Sequence, residues 1–415
     1  MTLHDEAAHE VRLERLAAVA VRTGLGLRPG QELVLTAPLD AVPLARAITR
    51  EAYRAGASLV TLLYTDEEAA LARFQLAPDA AFDTAPGWLY EGMAAAFRAG
   101  AARLAIAGDD PSLLAGQDAE KVARANRARS RAYVPALELI AGFATNWTIV
   151  SAATPAWARA VFPGDAGEVA VARLWDAIFK ASRVDGPDPV AAWARHNADL
   201  RRRTEELNAR RYAALRFTGP GTDLTVGLAD DHEWHGGATT AKNGIVCNAN
   251  IPTEEVFTTP HKLRVSGHVV STKPLSYQGT LIEEIRVRFE EGRIVEAHAR
   301  RGEEVLRKVL ETDEGAARLG EVALVPHSSP IAASGLLFYN TLFDENAACH
   351  IALGQAYSKC IRGGLSMSEE ELVARGCNRS LIHIDWMIGS GAVDIDGIGA
   401  DGTATPVMRR GEWAA

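Results

Sequence analysis

The sequence predicts an α/β N-terminal domain with a parallel sheet and flanking helices, followed by an α+β domain with a curved antiparallel sheet. In the first half, short apolar runs alternate with segments of helical periodicity, which is typical of a parallel sheet covered by helices. The turn cluster Asp185-Gly-Pro-Asp-Pro189 then marks a change of composition. Beyond it, alternating apolar and polar residues predict antiparallel hairpins. The length of 415 residues also favours two domains over one.

The elements of the first half follow one another in a regular order. Apolar residues at helical spacing predict a first helix over residues 6–22. Asp40 is the predicted N-cap of a second helix that runs to Ala55 and ends at Gly56. Apolar runs predict four strands, at residues 32–36, 58–64, 103–107 and 146–150.

A parallel sheet of this kind often binds nucleotides, but the sequence contains no phosphate loop. Within residues 1–188, neither G-x-G-x-x-G after a strand nor G-x-x-x-x-G-K-[ST] occurs. Gly24, Gly26 and Gly30 precede a strand instead of opening a helix. We therefore expect residues 1–188 to form a scaffold or assembly domain without a cofactor.

The second half begins with a long polar helix and continues as hairpins. The helix is predicted over residues 190–212. The turn at 219–223 joins predicted strands at 214–218 and 224–228. A further half-buried strand at 281–289 turns at Glu291-Gly292 into a strand at 293–297.

Composition excludes several classes of protein. The net charge of −9 argues against a general nucleic-acid binder. No apolar run approaches the roughly 20 residues that span a bilayer, so we expect no membrane association. The N-terminus lacks a basic and then apolar signal segment, and the four cysteines form no Cys-x-x-Cys pair. These features predict a cytoplasmic protein with reduced thiols.

Acidic residues and histidines cluster in four segments of the second half. In the last of them, Ser380-Leu-Ile-His-Ile-Asp-Trp386, a strand would place His383 and Asp385 on one face with Leu381. A buried pair of this kind is either hydrogen-bonded within a core or bound to a metal. The other segments favour a metal, because two divalent ions require a mixture of carboxylates and imidazoles. The residues that supply this mixture are Glu255, Glu321, Glu345, His350, His383 and Asp385.

The same segments resemble the M29 family of metallo-aminopeptidases, the thermophilic aminopeptidase family. The similarity spans essentially the whole chain and rests on four motifs in order. They are Asn-Ile-Pro-Thr-Glu-Glu-Val-Phe-Thr (250–258), Gly-Glu-Val-Ala-Leu-Val-Pro (320–326), Asn-Thr-Leu-Phe-Asp-Glu-Asn-Ala-Ala-Cys-His-Ile-Ala-Leu-Gly (340–354) and Ile-His-Ile-Asp-Trp-Met-Ile-Gly (382–389). Trp386 stands where the family has Phe or Tyr, and Thr259 where it has Ala. Neither difference removes a ligand.

The resemblance implies a function and a role for each site residue. It implies metal ligands at Glu255, Glu321, His350, His383 and Asp385, with Glu345 a further candidate, and catalytic roles for Glu321 and Tyr357. Residues 189–415 would then be the metal-binding catalytic domain. Two divalent ions, Zn²⁺, Co²⁺ or Mn²⁺/Mg²⁺, would activate a water that attacks the N-terminal peptide bond of a substrate with a free N-terminus. Glu321 or Glu254 is the expected general base, Glu254 otherwise supporting the ligands, and Tyr357 the expected oxyanion donor. The resemblance also implies a homodimer.

Two other functions fit the same residues. One is another metallohydrolase, such as an amidase or dipeptidase, and the other is a metal-binding scaffold without catalysis. The motif Asp231-His-Glu-Trp-His235 lacks the H-E-x-x-H spacing, so we expect it to form a pocket wall or a loop.

Overall fold

The computed structural model describes residues 3–277 and 280–414. Up to residue 210 its helices and strands are α1 (Leu3–Ala18), β1 (Glu32–Pro38), α2 (Val42–Arg54), β2 (Leu59–Thr65), α3 (Glu67–Leu76), α4 (Gly87–Arg98), β3 (Ala102–Ala107), α5 (Ala119–Ala141), β4 (Trp147–Ser151), α6 (Pro155–Val161), α7 (Gly167–Ala181) and α8 (Pro189–Arg210). From residue 211 to 298 they are β5 (Ala214–Gly219), β6 (Thr222–Leu228), β7 (His235–Gly236), β8 (Thr239–Thr240), β9 (Val246–Cys247), β10 (Val256–Thr258), β11 (Pro260–Val270), β12 (Leu275–Tyr277), β13 (Thr280–Ile282), β14 (Arg286–Glu290) and β15 (Arg293–His298). The remaining elements are α9 (Glu303–Leu310), β16 (Leu319–Leu324), α10 (Pro330–Ser334), α11 (Thr341–Asp344), β17 (His350–Gly354), α12 (Glu369–Ala374), β18 (His383–Met387), β19 (Asp394–Ile398), β20 (Ala404–Arg409) and β21 (Glu412–Trp413).

Contacts among the described residues form two compact units. The first contains residues 3–196 and 238–252, and the second contains residues 197–237 and 253–414. The boundary between the units lies within α8, between residues 196 and 197, and residues 238–252 return to the first unit. The predicted functional division, a scaffold of residues 1–188 and a catalytic domain of residues 189–415, stays a prediction.

The first unit is built on a parallel sheet with the strand order β2-β1-β3-β4. All four strands lie within one or two residues of their predicted positions. β1 occupies the middle of the sheet because it pairs in parallel with both β2 and β3. Its side chains Leu33 and Leu35 are completely buried. The predicted α/β architecture with flanking helices is confirmed.

The start of α2 differs from the prediction, because Asp40 is not the N-cap. Residues Leu39–Ala41 form a 3₁₀ turn that continues into α2, and the N-cap is Ala41, without a side-chain hydrogen bond. Pro43 lies in the first turn of α2. Its fixed φ favours the start of a helix, and its missing N–H needs no capping acceptor there.

The described residues of the second unit contain two large antiparallel sheets with a shared core and the small hairpin β12–β13. The larger sheet has the order β15-β14-β11-β6-β5-β19-β20-β21, and the smaller has the order β18-β17-β16-β10-β7. Both predicted hairpins, β5–β6 and β14–β15, are present. The predicted strand over 281–289 is interrupted, however, and forms β13 and β14. Between them Glu284 has a positive φ of 53°, which ends regular pairing.

The core of this unit joins the inner faces of the two sheets. Phe217 and Val226 of the larger sheet belong to the same buried cluster as Val322, Ile351 and Trp386 of the smaller sheet. Burial of one face of the smaller sheet leaves its other face for polar side chains. No helix among the described residues is long and apolar enough to span a bilayer. All four cysteines lie within those residues; they are buried and take part in no disulfide there.

Candidate metal centre

Four neighbouring strands of the smaller sheet carry five of the six predicted ligands. Glu255 immediately precedes β10, Glu321 lies in β16, His350 begins β17, and His383 and Asp385 lie in β18. Successive residues of a strand point to opposite faces of the sheet. The intervening residues are apolar and belong to the core, as Val322, Ile351, Leu353, Ile384 and Trp386 illustrate. The titratable side chains therefore share the other face.

Small residues separate the titratable side chains on this face. Ala352 pairs with both Glu321 and Asp385, and Gly354 pairs with His383. Directly opposed residues have their side chains on the same face. The position of Gly354 admits no side chain, because a Cβ atom there would lie 2.1 Å from the carbonyl oxygen of Ile382. The strand register thus leaves space between the carboxylates and imidazoles.

The side chains on this face form two groups that could each hold a metal ion. Glu255, Glu321 and His350 offer ligand atoms that all lie within 4.8 Å of one another, and so do Glu321, His383 and Asp385. Glu321 belongs to both groups. Its Oε1 lies 3.5 Å from Nε2 of His350, and its Oε2 lies 3.8 Å from Nε2 of His383.

The hydrogen bonds of the two imidazoles fit a metal centre. Nδ1 of His350 donates to the carbonyl oxygen of Ala348 (3.1 Å), and Nδ1 of His383 donates to that of Gln355 (2.7 Å). Because a carbonyl oxygen only accepts, Nδ1 carries a proton in both rings. Each neutral ring therefore presents the lone pair of Nε2 to the carboxylates. This outer hydrogen bond to a carbonyl is usual for histidines that ligate metals.

Unpartnered polar atoms provide an independent test of the fit. Oε2 of Glu255, Nε2 of His350 and Oδ1 of Asp385 are buried and make no hydrogen bond. The first two lie only 3.1 Å apart, yet their geometry is not that of a hydrogen bond. Buried polar atoms are seldom left unpaired, since their desolvation costs about 1–3 kcal/mol each. A divalent cation among them would satisfy all three, so these residues fit a metal.

The electrostatics of the metal-free site show how crowded its charges are. Burial raises the pKa of Glu321, and the carboxylates of Glu255 and Asp385 raise it further. Although burial alone lowers the pKa of His350, the adjacent carboxylates of Glu255 and Glu321 raise it well above its usual value. Burial likewise lowers the pKa of His383, but Asp385 and Glu321 together raise it to about 9. Without a metal, protons compensate part of the negative charge.

The remaining predicted site residues lie around these two groups. Glu345, in a 3₁₀ turn after α11, is outside both groups. Burial raises its pKa well above the usual value, and Glu255 and Asp385 add to this. It is therefore within electrostatic reach of the ligands. Glu254 is buried beside Glu255, and its backbone N–H donates to Oδ1 of Asn346 (2.7 Å).

Tyr357 borders the centre on the side of His383. The two ring centroids are 4.7 Å apart. Burial raises the pKa of the Tyr357 hydroxyl, and the charges of Glu321 and Asp385 raise it further. The phenol therefore keeps its proton at neutral pH and can act as a hydrogen-bond donor.

Some residues of the site were not predicted from the sequence. Phe257 lies on the same sheet face, paired with both Ala323 and His235. Nζ of Lys359 lies 4.7 Å from the centroid of the Phe257 ring. The only sequence feature that could have indicated Lys359 as a site residue is its position two residues after Tyr357. His235 belongs to no metal-capable group of the described residues and lies against Phe257.

The chain combines an α/β unit with an antiparallel unit that buries groups of carboxylates and imidazoles. This combination indicates a candidate metallohydrolase. Known proteins are similar to this chain along nearly its whole length. A profile of the family described as thermophilic metalloprotease (M29) matches residues 9–413. Aminopeptidase T of Thermus thermophilus is 58% identical over 98% of this chain and 99% of its own length. Aminopeptidase 2 of Geobacillus stearothermophilus is 46% identical over 98% of each chain.

A solved structure agrees with the sequence comparisons. The structure of wild-type AmpT from Thermus thermophilus has a TM-score of 0.93 to this chain at 57% identity, and it covers 97% of this chain and 99% of its own. The chain belongs to the M29 family of metalloproteases. It is therefore a peptide hydrolase, and its family implies divalent metal ions.

The shared position of Glu321 predicts an asymmetric loss of metal. Replacing Glu321 with Gln removes a charged ligand from both groups, whereas Glu255→Gln removes one from a single group. We expect plasma mass spectrometry of the purified proteins to find about two metal ions per chain in the wild type, about one in Glu255→Gln and fewer still in Glu321→Gln. Glu233→Gln, at a surface ion pair with Arg362, is the matched control. A full metal content in Glu321→Gln would show that Glu321 is not a ligand shared by the two groups.

Metal affinity should rise with pH up to about 9. His383 binds metal only through a neutral Nε2, and the pKa of its ring in the metal-free protein is raised to about 9. Below that pH a proton must leave, so the apparent association constant should fall about tenfold per pH unit for this one group. Competition with a chromophoric chelator between pH 6.5 and 9.5 measures it. A constant affinity between pH 7 and 9 would contradict this linkage.

Proposed function

We propose that the protein is a metal-dependent aminopeptidase that removes the N-terminal residue from peptides. Its dinuclear centre would be held by Glu255, Glu321, Glu345, His350, His383 and Asp385. The observation that carries this proposal is the membership of Glu321 in both metal-capable groups. A dinuclear site needs a carboxylate between its ions, and no other described residue belongs to both groups. Two relatives that match this chain along nearly their whole length are named aminopeptidases, and this supports peptides as the substrate class.

The donor atoms limit which metals fit. Carboxylate oxygens and imidazole nitrogens suit Zn²⁺, Co²⁺ and Mn²⁺, and Mg²⁺ fits the oxygen-rich part. When bound, two such ions supply Lewis-acid polarisation of the scissile carbonyl and an activated water. The protein contributes a dry, shaped face on which these groups and the substrate are oriented.

Proton transfer is the role of a buried carboxylate. The nucleophilic water must lose a proton, and the leaving amine must gain one. Both oxygens of Glu321 are directed towards imidazoles of the ligand groups, Oε1 to His350 and Oε2 to His383. We propose either Glu321 or Glu254, which is buried next to the ligand candidate Glu255, as the proton acceptor.

Tyr357 is the proposed donor to the oxyanion. Its phenol keeps its proton, and its ring lies against that of the ligand candidate His383. A donor aimed at the oxygen that becomes charged stabilises the transition state more than the bound substrate. The substrate's α-amine requires its own partner, and a carboxylate or a metal in this centre would supply one. That requirement would limit cleavage to the first peptide bond.

The assembly and location of the enzyme are also part of this proposal. We infer a homodimer and a cytoplasmic location, as the sequence predicts. An amidase or dipeptidase that uses the same centre is the alternative activity. An aminopeptidase requires a free α-amine on its substrate, whereas a dipeptidase also requires a free carboxylate and an amidase requires neither group.

Dependence on a free amine tests the activity directly. Leucine p-nitroanilide should be hydrolysed, and N-acetyl-leucine p-nitroanilide should be hydrolysed at least about 100-fold more slowly, because a buried charged partner would lose its ligand. A chelator should abolish turnover, and adding Zn²⁺, Co²⁺ or Mn²⁺ should restore it. Equal rates on both anilides would indicate an amidase. Hydrolysis of neither anilide would exclude the aminopeptidase and leave a dipeptidase, which would still cleave Leu-Gly, or an inactive scaffold, which would not.

Replacing Tyr357 with Phe should lower kcat while KM and metal content stay nearly constant. The loss should be on the order of 10²–10³-fold, since the hydroxyl acts mainly in the transition state. Tyr64→Phe, on the partly exposed strand β2, is the matched control. Full turnover in Tyr357→Phe would show that the ring only packs against His383. Loss of metal would assign the hydroxyl to supporting the ligands instead.

A further inference from the structure

A lysine of the segment after β17 lies beside the candidate centre. Nζ of Lys359 lies 4.7 Å from the ring centroid of Phe257 and 5.7 Å from that of Tyr357. The Tyr357 ring in turn lies 4.7 Å from the ring of His383. One aromatic side chain thus separates the ammonium group from a proposed ligand. The cation borders the place where a substrate would bind.

The backbone around Lys359 is fixed by hydrogen bonds on both sides. Nε2 of His235 donates to the carbonyl oxygen of Lys359 (2.6 Å). The N–H of Glu233 donates to the carbonyl of Cys360 (2.7 Å), and the N–H of Cys360 donates to that of Tyr357 (3.0 Å). The Cys360 side chain is buried. A lysine side chain is flexible, but its attachment point here is held firmly.

The charge of Lys359 is opposite to that of its surroundings. Four carboxylates, from Glu255, Glu321, Glu345 and Asp385, interact with one another electrostatically in the centre. The free C-terminus of a short peptide adds one more negative charge close to them. An ammonium group interacts with aromatic rings through their faces, and its three N–H groups can also donate to a carboxylate.

We propose that Lys359 is a specificity-determining residue that binds the C-terminal carboxylate of dipeptide and tripeptide substrates. This inference rests on the proposed aminopeptidase function. If the Tyr357 hydroxyl faces the scissile carbonyl, a carboxylate one or two residues further along lies about 3–7 Å away, given about 3.3–3.6 Å per extended residue. Nζ of Lys359 lies 5.7 Å from the centroid of the Tyr357 ring, which is compatible with such a position. The enzyme would then complete the degradation of short peptides.

The test compares three substrates that share an N-terminal leucine. They are Leu-Gly with its free carboxylate, Leu-Gly amide and leucine p-nitroanilide. In the wild type, kcat/KM should be about 10–100-fold higher for Leu-Gly than for the amide, the range of one charge-assisted contact. Lys359→Met should abolish this preference by raising KM for Leu-Gly alone, because the contact is equally present before and during the reaction. Lys359→Arg should keep part of the preference.

The controls separate recognition from packing. Arg362→Met removes a cation of the same segment that is paired with Glu233 and should leave the preference unchanged. High salt should reduce the preference of the wild type, since salt screens a partly exposed charge pair. An equal loss on all three substrates in Lys359→Met, or an unchanged preference, would overturn the proposal. A wild type that cleaves none of the three would instead refute the aminopeptidase function.

Discussion

The negative charge gathered on one face of the smaller sheet is the constraint on which the candidate centre depends. Four carboxylates meet two imidazoles there in a mostly buried setting. Burying unpaired charges costs several kcal/mol per ion, and even two protonated imidazoles leave the group negative. Divalent cations remove both problems, because they neutralise the carboxylates and occupy the lone pairs of atoms that lack hydrogen bonds. The strands of the smaller sheet hold these atoms close to one another.

The two-residue period of a strand makes this arrangement compatible with a stable core. In β17 and β18, and in β16 after its register shift, alternate side chains enter the apolar core, and the titratable side chains of the centre lie on the other face. Small residues at Ala323, Ala352 and Gly354 provide the room between the ligands. The backbone carbonyls of Ala348 and Gln355 orient the two histidines. The same strands therefore supply core residues from one face and site residues from the other, so the two roles involve different side chains.

The segments that border the centre come from distant parts of the chain. The residues around Tyr357 and Lys359 are joined to the 229–235 segment by backbone hydrogen bonds and by His235. Asp231 at the start of that segment adopts a positive φ of 57° and pairs with Arg375. A motif that resembles a metal site in sequence thus connects to the segment that carries Tyr357 and Lys359. Its two histidines bond to the carbonyl oxygens of Ala229 and Lys359.

The sequence by itself determined the architecture and the kinds of ligand. Alternation of apolar runs predicted all four parallel strands, and the spacing of His383 and Asp385 predicted a shared face. Both are local properties, since periodicity is set by the geometry of a single strand or helix. The N-cap at Asp40 was predicted wrongly because a proline two residues into α2 replaced the need for it.

Only the tertiary structure decided which of these groups meet. The membership of Glu321 in both ligand groups depends on the pairing of β16 with β17 and on a register shift between Leu319 and Glu321. The position of Lys359 depends on a hydrogen bond to a histidine 124 residues away. Pairing register and long-range hydrogen bonds follow from the packing of the whole unit, and no local pattern encodes them.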